Sequence, residues 1–313
     1  MTNTRSPFLS SAVAVCPPEL LDMARAAGAP RVAIARAGAP LPMQAAFEAT
    51  QAGIMRPVFT GEPDAIHAQA KALGWDISGF PLIPATGEAE SGKAAAEACG
   101  RGEADVLMKG NLHSDTFMRA ALARDAGLRT GARLVHIFHI SHPTGGRPLL
   151  LSDGAVNVQP NIETRHDATR AVVALLHTLG NAHPRVAFLS ATESVLAAVP
   201  SSGEAAELAE WARANIPDAS FAGPLALDLC LSPESAATKG LADDPVAGKA
   251  DAIIVPDIVS GNAIFKSLVY LSGGCAAGIV MGAAVPILLT SRADPPAARL
   301  ASAALAAICR KAV

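Results

Sequence analysis

Short β-branched runs and Ala-rich stretches take turns along this chain, and that alternation restricts its fold more than any other feature. "RVAIA" (31–35) precedes "PMQAAFEATQAG" (42–53), a helical pattern closing on glycine, and "RPVFTG" (56–61) is another run ending in glycine. The beat continues through helices near 63–74 and 88–101, the strand "ADVLMKG" (104–110), a helix near 114–126 and the strand "RLVHIFHI" (133–140). Strands separated by helices make a mostly parallel sheet covered on both faces, so the predicted class is α/β. Composition agrees. Half of the residues are hydrophobic but only 4% are aromatic, so the core must be built from Ala, Val, Leu and Ile.

At 313 residues the chain exceeds the roughly 250–300 that one core usually supports, which predicts two domains and a cleft. The Pro/Gly-rich "SHPTGGRP" (141–148) is the expected crossing between them. Behind it come strand "LLLSD" (149–153), a helix near 163–179, strand "RVAFLS" (185–190), a helix near 203–214, strand "ADAIIVP" (250–256) and a helix near 262–271. Periodicity does not assign the last strand and helix, from about 285, to either domain. The opening "MTNTRSPFLSSAVAVCPPELL" reads as a loose cytosolic leader rather than a signal peptide, because it lacks a clear small-residue cleavage box.

A formal charge of −3 leaves no electrostatic footprint for nucleic acid or an anionic membrane. The most apolar window, 276–290, is broken by Gly278, Gly282 and Pro286 and falls short of the ~20 residues of a membrane span. Cys16, Cys99, Cys230, Cys275 and Cys309 are odd in number and scattered, which argues against a disulfide framework or a structural zinc site and for a reducing compartment.

"VPILLTSRADPP" (285–296) places Ser291 and Arg292 where an apolar run meets a helix start. Ligands of open α/β sheets sit outside the carboxyl ends of strands, and a hydroxyl, a guanidinium and free helix N–H groups converging there suit a phosphate or carboxylate. The plainer reading makes Asp294 an N-cap and Arg292 a solvated loop residue. Lys109 and Gly110 end another strand and face the same crevice as Ser291 if both strands share a sheet. "SATESV", "SSGEAAELAEWA", "LSPESAATKG" and "VSGNAIFKSL" repeat small hydroxyl residues and glycine at strand ends. Each alone is an ordinary cap, while together they favour a phosphate-bearing ligand. Neither standard nucleotide signature, G-x-x-x-x-G-K-[ST] or G-x-G-x-x-G, is present. His136 and His142 would share one strand face and His139 the other, which is unsuited to a single metal.

"ADVLMKGNLHSDTFMRAAL", "GLRTGARLVH", "LLLSDGAVNVQPN", "AGPLALD" and "KADAIIVPDIVSGNAIFKSLVYLSGGCAAGIVMGAAVPILLTSRAD" together resemble the phosphate acetyl/butyryltransferase family. The likeness is greatest to acetyl-type members fused behind an enoyl-CoA hydratase-like domain, and it runs from about residue 30 to the C-terminus. It implies a two-domain α/β/α fold like that of isocitrate and isopropylmalate dehydrogenases, with residues 1–140 plus 285–313 as one domain and 141–284 as the other. It further implies transfer of a short acyl group, acetyl before butyryl, between CoA and inorganic phosphate, with CoA as substrate, no metal or redox cofactor, and a cytoplasmic homodimer or larger homo-oligomer.

Carried over residue by residue, the resemblance makes Arg292, Ser291 and Asp294 the catalytic candidates. Lys109, Gly110, Gly261, Asn262 and Lys266 become the substrate-binding candidates. One position departs: where acetyl-type relatives carry an Asp six residues after the Arg, this chain has Ala298, which leaves the general base unassigned. Two other classes stay in view. A nicotinamide-linked hydroxy-acid dehydrogenase on the same fold would need clustered aspartates that the sequence lacks, and a catalytically silent CoA-binding module is compatible with Ala298.

Overall fold

The computed structural model describes residues 6–289 and 293–310. The chain divides into two compact units, one formed by Ala14–Ala132 with the chain from Ala277 onward and the other by Arg133–Ala276 with the leader through Val13. The first unit runs α1 (Pro18–Ala27), β1 (Arg31–Ala35), α2 (Pro40–Gln51), β2 (Arg56–Gly61), α3 (Pro63–Ala72), β3 (Leu82–Pro84), α4 (Gly87–Gly100), β4 (Val106–Lys109) and α5 (Ser114–Ala121). The second runs β5 (Val135–Ser141), β6 (Leu149–Ser152), α6 (Ile162–Thr178), β7 (Arg185–Leu189), α7 (Pro200–Asn215), β8 (Ser220–Leu225), α8 (Leu227–Leu231), α9 (Pro233–Thr238), β9 (Ala252–Ile254) and α10 (Ile258–Lys266), with a π-helical turn at Ser267–Leu271. Strand β10 (Cys275–Met281) carries the chain back to the first unit, where β11 (Ile287–Leu288) and α11 (Pro296–Cys309) complete it.

In the first unit the strand order is β3-β2-β1-β4-β11, and every neighbouring pair is parallel. Buried strands of this kind carry near-continuous apolar runs, as Val32–Ala35 and Val106–Met108 do. In the second unit the order is β5-β6-β9-β7-β8, parallel except for β5 and β6. The β5–β6 loop is too short for a crossover of the dozen or so residues that parallel strands require, so the two pair antiparallel. The expected domain crossing at 141–148 is therefore a connection between adjacent strands of one unit, and the units divide at 132/133 and 276/277 rather than at 140/141 and 284/285. The same length argument makes β10 and β11 antiparallel.

The leader also differs from expectation, because its end folds. Helix α1 opens with proline in its first turn and buries Leu20 and Ala24, with Cys16 buried just before it. Helix α5 stops at Ala121, five residues before the predicted end at 126, and α10 begins at Ile258, ahead of the predicted start near 262. Among the described residues no helix is long and apolar enough to cross a membrane. The five cysteines are buried.

Candidate active site

The carboxyl end of β4 is shaped by a glycine. A side chain at Gly110 would sit 2.2 Å from the Ala35 carbonyl oxygen and 2.7 Å from that of Arg36, so only Gly lets the end of β4 lie this close to the end of β1. The Asn111 N–H donates to the Arg36 carbonyl at 3.0 Å and fixes that approach. Arg36 itself adopts a left-handed conformation with φ 56°. Its guanidinium lies 3.3 Å from Glu62 and 3.6 Å from Glu88, and Glu88 accepts from the His113 N–H at 2.9 Å. The Gly87 N–H bonds Glu62 and holds that carboxyl below its usual range, while the His113 N–H does the same for Glu88.

Beside this strand end lies a cavity of about 250 Å³, lined on one side by Ala39, Pro40, Leu41, Pro42 and Ala45 of α2 and its cap, and on the other by Met108, Lys109, Gly110, Asn111 and Arg299. Lys109 is buried at the last position of β4, in register with Ala35. Arg299 comes from the first turn of α11. Its Nη1 donates to the Asp294 carbonyl at 2.5 Å, and its buried Nε has no hydrogen-bond partner among the described residues.

Strands β11 and β4 are parallel neighbours, with Leu288 opposite Met108, so β11 and Lys109 end at the same edge, the arrangement on which the expected crevice depended. Ser291 and Arg292 lie outside the described residues. Asp294 is not the N-cap: Pro295 takes that position, and among the described residues no side-chain hydrogen bond caps α11. Ala298 is buried in the first turn of the same helix and offers no proton acceptor. The sequence reading missed Arg299, although it is the single charged residue of α11 and stands out against an Ala-rich, buried helix.

The other candidates belong to the second unit. A side chain at Gly261 would sit 2.6 Å from the Asp153 carbonyl oxygen, and Asn262 Nδ2 donates to the Gly154 carbonyl at 3.3 Å. These two residues seat α10 on the loop that leaves β6. Lys266, one turn on, is exposed, with its ammonium 5.8 Å from the ring centres of Phe265 and Tyr270. The serine-rich stretches mostly serve the backbone: Ser232 caps α9 and Ser202 donates to the Val199 carbonyl, while Lys239 pairs with Glu193. His136 and His139 are buried in β5, where burial pushes each imidazole down to about 4, and His142 lies beyond the strand bonded to Thr144.

Residues 88–307 match the family described as phosphate acetyl/butaryl transferase. The chain is 39% identical over 263 residues to phosphate acetyltransferase of Rickettsia prowazekii, an alignment covering 83% of this chain and 75% of that one. It is 34% identical over 279 residues to phosphate butyryltransferase of Clostridium acetobutylicum, covering 89% and 92%. Its fold is similar to that of a branched-chain phosphotransacylase from Enterococcus faecalis, with a TM-score of 0.78, 27% identity and coverage of 90% and 99%. The chain belongs to the phosphate acetyl/butaryl transferase family.

Proposed function

We propose that the protein is a phosphate acyltransferase that interconverts acyl-CoA plus inorganic phosphate with acyl phosphate plus CoA, with acetyl the preferred group and butyryl the second. The observation that carries this reading is the pairing of β4 with β11 beside the Lys109 cavity, in a chain of this family. A phosphate oxygen attacks the thioester carbonyl, the tetrahedral intermediate expels CoA thiolate, and the thiolate takes up a proton. Charge on the oxyanion and on phosphate calls for fixed donors in a site with little water. Lys109 and the Gly110 backbone meet the phosphate, and Arg292 and Ser291 are assigned by the family resemblance to the charge of the transition state and to phosphate contact. Asp294 is a catalytic candidate for the proton, since Ala298 cannot accept one. Gly261, Asn262 and Lys266 are assigned to CoA, with Lys266 as the cation for a CoA phosphate.

The fold reads as one of the isocitrate/isopropylmalate dehydrogenase kind, which the parallel strand order of the first unit supports. CoA serves as substrate and no further cofactor is assigned. An odd number of scattered, buried cysteines supports a cytoplasmic location, and exposed Phe8, Val13, Val259 and Tyr270 support a homodimer or larger assembly.

The test is release of CoA from acetyl-CoA and from butyryl-CoA with and without phosphate. Release that requires phosphate is expected. Binding of CoA without release would instead identify a silent module.

A further inference from the structure

The cavity at the end of β4 has two unlike walls. Pro40, Leu41, Pro42 and Ala45 of α2 give it an apolar wall, whereas the lining from β4 and α11 brings two cations, Lys109 and Arg299, from separate elements. Its volume of about 250 Å³ is far above the roughly 10–15 Å³ that one water molecule needs, more than a bare phosphate fills. A ligand matching both walls has an anionic head and a short hydrocarbon tail. We propose that this cavity binds the acyl phosphate, with the phosphoryl group on Lys109 and Arg299 and the acyl tail along α2, so that Ala45 and Leu41 set the acyl chain length.

This rests on the phosphate acyltransfer reading and adds to it a binding residue, Arg299, and two specificity-determining positions. Arg299 suits the task because a guanidinium offers several donors in one plane. Its Nη1 donates to the Asp294 carbonyl, which orients the group. Ala45 is nearly buried on α2, so a larger side chain there takes up cavity space, and Leu41 is exposed at the rim, where substitution leaves the core intact.

Equilibrium titration of the purified protein with inorganic phosphate, acetyl phosphate and butyryl phosphate tests the proposal without requiring turnover. Each buried methylene strengthens ground-state binding about fourfold, so butyryl phosphate is expected to bind about 15-fold more tightly than acetyl phosphate, while the acetyl preference proposed above is one of turnover. Ala45→Leu and, independently, Leu41→Ala should each shrink that ratio to about threefold or less, in variants whose thermal unfolding shows an intact fold. Arg299→Gln should weaken all three anions by a similar factor of about ten or more and leave the chain-length ratio in place. Equal affinities of the two acyl phosphates for the unsubstituted protein, or a ratio that survives in either folded wall variant, overturns the proposal. Absence of phosphate-dependent CoA release would sink the acyltransfer reading instead, a separate result from a separate assay.

Discussion

The ends of β4 and β6 use the same device toward opposite results. Each strand runs into a glycine that lets two backbones approach, Gly110 against the carbonyls of Ala35 and Arg36, and Gly154 against Gly261. At β6 the neighbouring charge is consumed internally. The buried Asp153 carboxylate accepts from the backbone N–H groups of His136, Ala155, Val156 and Asn157 and from Asn157 Nδ2, at 2.7 to 3.3 Å. At β4 the strand end borders a cavity whose lining includes Lys109 and Arg299. The comparison teaches that a strand's carboxyl end can serve as a ligand site where its donors border a cavity. Where they are turned onto the chain's own carboxylate, the result is a rigid corner.

The sharpest way to break this comparison is Asp153→Ala. Five donors would lose their acceptor in a buried place, and unfolding in urea is expected to show a loss of about 3–5 kcal/mol. A loss below about 1 kcal/mol would mean that the corner is not built on that carboxylate.

The glycines come next. Gly110→Ala drives a carbon into two backbone carbonyls and should cost about 3 kcal/mol, whereas Gly154→Ala meets its nearest atoms only at 3.2 Å and should cost about 1 kcal/mol. The reverse order would contradict the claim that β4 is the tighter approach.

The smallest expected effect is acid sensitivity of the second unit. His136 and His139 fold as neutral imidazoles, with values lowered from 6.5 to about 4 by burial. A depressed folded value means that the unfolded chain binds more protons below pH 6.5. Their contribution is thus complete above that pH and is lost progressively toward pH 4. Between pH 7 and pH 6 the combined loss should be about 1 kcal/mol, and His139→Gln should flatten the slope. A slope of opposite sign would contradict the assignment.

Much of the first unit was legible in the sequence because its strands are buried on both faces and read as unbroken apolar runs, as "RVAIA" and "RPVFTG" do. Strand β11 has only two residues and β3 only three, too few for a period to register. "SHPTGGRP" misled because Pro and Gly mark a turn without saying what the turn joins, and only strand pairing reveals a hairpin. In the site, Lys109 and Gly110 stood out as a cation and a glycine closing a strand. Arg299 and the α2 wall did not, since a cavity is made by residues far apart in the chain and no local pattern encodes it. Gly261 and Asn262 were visible as a motif, but their packing against Gly154 was not.

The central claim is that the cationic end of β4 receives the phosphate. Its most direct test is the dependence of CoA release on phosphate concentration in Lys109→Met, which keeps the aliphatic stem and removes the charge. The account predicts that the apparent second-order rate constant for phosphate falls about 100-fold or more while thermal unfolding stays within a few degrees of the parent. A folded Lys109→Met protein with unchanged phosphate dependence would contradict it.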